Sequence, residues 1–417
     1  MLDRVFRALG LRPGRAPGDP DLLRRLKDQP IETIAAELLK RKQDLDATTI
    51  RLGVIGMTGA GKSSLINAIL GRPVARVGVV TVEHPPAGEE FEVEGFRLVD
   101  LPGAGAVSRP AATYVADLKL LEPGRYDGFL LVTASRLTEA DVALFKEVHL
   151  QAGKPFFVVR THFDLAVRSA GDEAAARQET EQFFRRHLPL AAFERVYMVA
   201  APEPTRYDLP LLLEDIARSL PDLKQLRALE VMPAYTEELL KKKRQAVEEI
   251  VFVQASLAAA NGLNPIPGLD IAVDIKLLQK MTERVISAFG LTRGQLEGLA
   301  RLSVGSVPLD RLLDIAAPVL GRLATAGVVS LFKEAGTDAA KAVVKREAAQ
   351  EGGRFFFKYG IRYAPLVGQV VSAGVGFTAA YLYGKYLLNE CEETLRKVLA
   401  ALPPALPAPE PDKREQQ

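Results

Sequence analysis

Short apolar runs at residues 50–56, 91–100, 127–133, 155–160 and 196–200 alternate with stretches of helical periodicity, among them 139–151 and 172–187. Runs of that length read as buried strands, and strands that alternate with helices close into a largely parallel sheet covered on both faces. The pattern predicts an α/β domain over residues 49–222, closed by a helix at 209–220 that stops before Pro221. Upstream, Ile31, Ile34, Ala35, Leu38 and Leu39 fall at i, i+3, i+4, i+7 and i+8, and Pro30 suits a first helical turn. One face of that helix must pack on another element.

Beyond residue 222 the strand pattern ends. Ile271, Ile275, Leu278, Met281, Thr282, Val285 and Phe289 recur at three- and four-residue steps, and Gly290 supplies a stop. Further helices are predicted at 235–260, 292–303, 308–332, 337–351 and 372–402, so a helical domain occupies residues 223–402 and takes in residues 1–48. Residues 403–417, rich in Pro, Glu and Lys, bury too little apolar surface to order themselves. Residues 363–383 are apolar over about the length of a membrane span. Pro365 and the small residues Gly368, Ser372, Gly374 and Gly376 weaken a continuous helix, so a buried hairpin in a helical bundle is expected, with membrane insertion as the alternative. The four cations at 241–244 are expected to form a solvated helix face; contact with anionic lipid is the alternative.

At about 150 residues per domain, 417 residues make two or three domains, and an apolar content of 48% fills real cores. A net charge of +2 argues against nucleic acid as the main partner. The single cysteine, Cys391, excludes an internal disulfide and a thiolate zinc cluster, and fits a reducing cytosol. His84, His149, His162 and His187 lack the spacing of a metal-ligand pair. Residues 1–11 lack the apolar stretch of a secretory signal and read as a packed or frayed end, or as a short basic amphipathic surface helix.

The chemistry enters directly after the first strand. Gly56-Met57-Thr58-Gly59-Ala60-Gly61-Lys62-Ser63, followed by Ser64, has the G-x-x-x-x-G-K-S spacing that wraps backbone amides around nucleotide phosphates. Its glycines let the chain turn close to anionic oxygens, and the next helix offers its positive end. Lys62 reaches the β- and γ-phosphates, and the Ser63 hydroxyl sits on Mg²⁺.

Two later strands supply what such a loop requires. Asp100, closing residues 96–100 and followed by Leu101-Pro102-Gly103, gives D-x-x-G: the carboxylate can hold the metal through water, and the Gly103 N–H can sense the γ-phosphate. After the strand at 156–160, Thr161-His162-Phe163-Asp164 occupies the place of [NT]-K-x-D. Asp164 can accept from the guanine ring N–H and exocyclic amine, which favours GTP over ATP; the alternative is that it caps a helix. His162 stands where a lysine stem normally crosses the base, and its imidazole can stack there instead. The backbone at Ala200-Ala201 can meet the base oxygen.

Together these residues resemble the immunity-related (interferon-inducible) GTPases. The matching stretches are GMTGAGKSSLINAILG from Gly56, GVV from Gly78, DLPGAG from Asp100, residues 114–120, Tyr126-Asp127, residues 135–139, GKPFFVVRTHFD from Gly153, and Tyr207-Asp208-Leu209-Pro210. Residues 264–270 and 366–377 look like that family's helical region, so the resemblance spans most of residues 30–400. It implies a Ras-like P-loop G domain with a helical domain built from both chain ends, nucleotide-dependent homodimers or oligomers, and action at membranes. It also implies hydrolysis that is slow until activated. Lys62, Gly103 and Thr81 are then the catalytic group, and Thr81 joins Ser63 and Asp100 on Mg²⁺. Ala104 follows Gly103 where a glutamine can orient water, so that group comes from a second subunit or from the nucleotide itself. The Ala-, Leu- and Arg-rich composition without Trp points to a prokaryotic member. Three readings compete: a soluble switch that assembles with GTP, a membrane-inserted version of it, and a scaffold that binds nucleotide without hydrolysis.

Overall fold

A computed structural model describes residues 31–77, 88–102, 111–191, 194–261, 270–302, 307–323 and 364–402. The chain divides into two compact units. One comprises Thr48–Leu240, Arg293–Leu312 and Leu399–Gln417; the other comprises Met1–Ala47, Lys241–Thr292 and Leu313–Val398.

The first unit is built on a six-stranded sheet: β1 (Ile50–Ile55), β2 (Glu89–Val93), β3 (Phe96–Asp100), β4 (Gly128–Thr133), β5 (Phe156–Arg160) and β6 (Val196–Met198). The spatial order is β2-β3-β1-β4-β5-β6, and every pair is parallel except β2 with β3. All six residues of β4 are buried. Side chains alternate along a strand, so burial of every one means that both faces of the sheet are covered there. Tyr126, Phe129, Leu144 and Val148 join Ile55, Val99, Leu101 and Tyr114 in one core cluster. Each such fully buried side chain contributes about 1.5–3 kcal/mol.

The helices of this unit are α2 (Lys62–Leu70), α3 (Ala111–Asp117), α4 (Glu139–Leu144, continued as a π-helix over Phe145–Gln151), α5 (Phe163–Ala170), α6 (Glu173–His187), α7 (Leu209–Arg218), α8 (Asp222–Val231) and α11 (Arg293–Leu302). Thr138 and Asp141 cap α4 reciprocally, at 3.1 and 2.9 Å. The apolar run at 91–100 is not one strand: Glu94 and Gly95, at φ 49° and 82°, turn it into a hairpin of β2 and β3. Two successive residues at positive φ match the twist of the flanking strands, so a two-residue turn is the stable solution. Past residue 222, α8 packs against β1 and β3, and the Tyr235 hydroxyl donates to Ala68 O at 3.0 Å. Gly298 of α11 lies so close to Pro73 that a Cβ there would stand 2.8 Å from Cδ.

The second unit is helical: α1 (Ile31–Ala47), most of α9 (Glu237–Asn261), α10 (Asp270–Ala288), the greater part of α12 (Leu309–Leu320, with a 3-10 turn at Gly321–Leu323) and nearly all of α13 (Ala364–Ala401). Arg41 pairs with Glu249, and Arg284 with Asp46 at 2.7 Å, which ties α1 to α9 and α10. A Cβ on Gly384 would stand 2.2 Å from Val251 Cγ1, so glycine sets the approach of α13 to α9. Residues 364–383 are one stretch of helix, not a hairpin. Pro365 falls in the first turn, where its missing N–H leaves no intrahelical bond unmade, and the glycines weaken the helix without ending it. None of the described helices is long and apolar enough to cross a membrane.

The cation run at 241–244 is not a uniformly solvated face. Lys243 is buried and donates to Ala288 O at 2.6 Å, while Arg244 pairs with Glu392 and donates to Asn389 Oδ1 at 2.7 Å. Only the long stem of a lysine carries its ammonium from α9 to the carbonyl that ends α10. The expected helix at 337–351, the end of the one at 308–332, and the segments 1–11, 78–80 and 264–269 lie outside the described residues.

Candidate functional site

The site begins where β1 runs out. Gly56 enters the loop against β4, and a Cβ there would stand 2.1 Å from Val132 O, so no other residue fits. Gly59 and Gly61 both take φ 82°, a left-handed conformation that only glycine adopts freely. Gly61 is the N-cap of α2 and offers no side chain, so the first amides of that helix point at the loop's interior without a capping group. Met57, Thr58 and Gly59 are exposed, Ala60 is buried, and Ser63 and Ser64 occupy the first turn of α2, half-buried.

Lys62 is only 5% exposed. Its Nζ donates to Gly56 O at 2.9 Å and Met57 O at 3.3 Å and stands 3.6 Å from Asp100 Oδ1. Asp100 ends β3 opposite Val54, and the Leu101 N–H donates to Val54 O at 2.8 Å, so the strand pairing itself brings the carboxylate to the loop. The Tyr114 hydroxyl, buried in the adjoining core, donates to Pro102 O at 2.6 Å and holds the chain just past Asp100. A serine hydroxyl and a carboxylate are hard oxygen donors of the kind Mg²⁺ takes, with phosphate oxygens and water completing its octahedron. Among the described residues no group of three or more His, Cys, Asp or Glu is placed to hold a metal by itself.

The third element arrives from β5. Thr161 is buried, and its hydroxyl lies 2.5 Å from Ala60 O and 3.1 Å from Thr133 O; its N–H donates to Thr133 O at 2.9 Å. His162 takes φ 51° and ψ 36°, a left-handed conformation uncommon outside glycine, and serves as the N-cap of α5. Its exposed ring lies against the phosphate loop: a Cβ on Gly61 would stand 3.1 Å from His162 Cε1. Since His162 is the cap, Asp164 is not; it sits in the first turn of α5, half-buried. Burial holds the Arg160 guanidinium below its ordinary range, and the charge of Asp164 opposes that shift.

Ala200, buried, and Ala201 follow β6. The Phe163 N–H donates to Val199 O at 3.2 Å and the Val199 N–H to Arg160 O at 2.8 Å, so this backbone runs beside the Thr161–Asp164 turn. The fold thus brings together Gly56, Met57, Thr58, Gly59, Ala60, Gly61, Lys62, Ser63, Ser64, Asp100 and Thr161, with His162, Asp164, Ala200 and Ala201 beside them. Thr81, Gly103 and Ala104 lie outside the described residues. Tyr114 carried no chemical signal in the sequence beyond its place in the family resemblance, since a core aromatic whose hydroxyl reaches Pro102 O reads as packing alone.

The interferon-inducible GTPase (IIGP) family model matches residues 21–308. Over 383 residues the chain is 32% identical to interferon-inducible GTPase 5 of Rattus norvegicus, covering 88% of this chain and 79% of that one. It is 27% identical over 277 residues to interferon-inducible GTPase 1 of Mus musculus, covering 62% of this chain and 65% of that one. Among solved structures, the FeoB G-domain from Methanococcus jannaschii aligns at 21% identity and a TM-score of 0.29, over 42% of this chain and 99% of that one. With its phosphate loop, strand-end carboxylate and parallel sheet, the chain belongs to the interferon-inducible GTPase family.

Proposed function

We propose that residues 56–64 hold the phosphates of GTP, that Ser63, Asp100 and Thr81 hold Mg²⁺, and that Thr161, His162, Asp164 and the backbone of Ala200 and Ala201 hold guanine. The protein binds and hydrolyses GTP, as its family does. The observation that carries the assignment is the meeting of Lys62 Nζ, Asp100 and the Thr161 hydroxyl around one loop, three groups drawn from β1–α2, β3 and β5. Mg²⁺, when bound, neutralises charge that develops on the transferred phosphoryl. Lys62 stabilises that same charge, and the amides of the loop and of the first turn of α2 orient the phosphates.

The same proposal makes the protein a nucleotide-dependent switch. Loss of the γ-phosphate releases Thr81 and Gly103, and the GTP-bound form associates with a second copy, which supplies the water-orienting group that Ala104 cannot. Met57 in the phosphate loop and Leu165 in the first turn of α5 are large apolar side chains beside the site, each 53% exposed, and association would cover them. Peripheral contact with membranes is part of this reading, and a prokaryotic origin fits the composition.

Calorimetric titration of GTP, GDP and ATP with Mg²⁺ into the intact protein and Asp164→Ala tests the base assignment. Guanine preference in the wild type that collapses in the variant is the expected result; equal affinity for ATP and GTP in the wild type rejects it. Light scattering with a non-hydrolysable GTP analogue and with GDP tests association, and flotation with anionic liposomes in the two states tests membrane contact.

A further inference from the structure

The base-reading turn and the loop after β6 share contacts that no motif names. Phe163, between His162 and Asp164, is fully buried and packs with Val167, Met198, Ala200 and Tyr207. Its ring meets Tyr207 edge-to-face at 5.2 Å, and the Arg177 guanidinium lies 5.4 Å from its centroid. From α6, Arg177 Nη1 stands 3.0 Å from each carboxylate oxygen of Asp208, and Nε donates to Glu173 Oε1 at 3.1 Å. Asp208 Oδ2 accepts the Met198 N–H at 2.9 Å, and the Asp208 N–H donates to Met198 O at 2.9 Å. Met198 closes β6 and leads into Val199, Ala200 and Ala201. One side chain therefore grips both the neighbour of Asp164 and the residue that holds the strand leading to Ala200.

Charge-assisted bonds are shorter and roughly twice as strong as neutral ones, and a cation over an aromatic face adds to them. Recognition groups on two separate loops discriminate only when their relative placement is held, since a shift of about 1 Å loses most of the advantage. We propose that Arg177 is a positioning residue for base recognition: by holding Phe163 and Asp208 together, it keeps the Asp164 carboxylate and the Ala200–Ala201 backbone in one fixed relation. The inference rests on the base-reading role of Asp164 proposed above. Arg177 acts through Phe163 and Asp208.

Titrations of GTP and ATP with Mg²⁺ into wild type, Arg177→Met, Arg177→Lys and Asp164→Ala test it, with thermal unfolding alongside. Arg177→Met keeps the apolar stem and removes the charge and its hydrogen bonds. It is expected to lower the ratio of GTP to ATP affinity about tenfold with ATP affinity unchanged, because the phosphate loop is untouched; Arg177→Lys recovers part of the ratio. An unchanged ratio in Arg177→Met, or equal losses for both nucleotides, overturns the proposal. Should Arg177→Met not fold, Asp208→Asn takes its place with the same two outcomes. If Asp164→Ala leaves the ratio unaltered, the base assignment itself fails; if that variant collapses the ratio and Arg177→Met does not, only the positioning role falls.

Discussion

The Thr161 hydroxyl lies 2.5 Å from Ala60 O, so a side chain at the end of β5 holds the phosphate loop 101 residues earlier in the chain. Valine has nearly the same shape and no donor. Thr161→Val therefore turns a methyl toward a buried carbonyl, at about 1–3 kcal/mol. The expected outcome is a lower urea midpoint without nucleotide, together with weaker GTP binding as the loop loses its anchor. Wild-type values for both would remove the tether from the account.

Lys62 spends its three donors within the site, on two loop carbonyls and toward Asp100. A phosphate oxygen draws the ammonium from those neutral carbonyls because a charged acceptor binds it more strongly. Lys62→Met keeps the stem and deletes the charge, and phosphate release at saturating GTP and Mg²⁺ is expected to fall by roughly 100-fold or more. Turnover at the wild-type rate would show that another cation does this work.

Lys243 closes the C-terminal end of α10 from inside the helical unit, at 1% exposure. Lys243→Ala removes both the packed stem and the ammonium with its bond to Ala288 O, for about 2–4 kcal/mol, whereas Lys243→Met keeps the stem and loses the ammonium, about 1–3 kcal/mol. Lys241, exposed on the same run, is expected to tolerate alanine within about 0.5 kcal/mol. Urea unfolding followed by circular dichroism ranks the three. Equal midpoints for the two Lys243 variants and Lys241→Ala would mean that the run is a solvated face after all.

Tyr383 gives the helical unit a pH dependence of known sign. Burial pushes its phenol from the ordinary 10.0 up to about 12, against the opposing effects of the Thr282 hydroxyl and Arg322. Because the folded-state value is raised, its contribution is whole below pH 10.0 and is lost as pH climbs through about 12. Within that window stability falls by about 1.4 kcal/mol per pH unit for this group. Tyr383→Phe lacks the group, so its urea midpoint is expected to decline less steeply than wild type between those values. Parallel declines would show that the phenol ionises as readily folded as unfolded.

Local chemistry was legible in the chain before any fold. The glycine spacing of 56–63 demands left-handed turns whatever surrounds it, and Gly59 and Gly61 adopt them. The strand series and the strand-end position of Asp100 follow from apolar runs, which depend only on neighbours in sequence. Less local features escaped. The hairpin inside 91–100 turns on Glu94 accepting positive φ beside Gly95, and the expected hairpin at 363–383 dissolved because Pro365 happens to begin a helix.

What the amino-acid order determined by itself was the phosphate-binding loop, its carboxylate partner, the alternation that makes a parallel sheet, and the family. Tertiary structure alone decided that Thr161 anchors Ala60, that Arg177 joins Phe163 to Asp208, and that Lys243 ends α10 rather than facing water. The reason is physical: backbone conformation responds to residues within a few positions, whereas a hydrogen bond or ion pair needs the folded chain to bring distant partners within about 3 Å and to exclude the water that would replace either one.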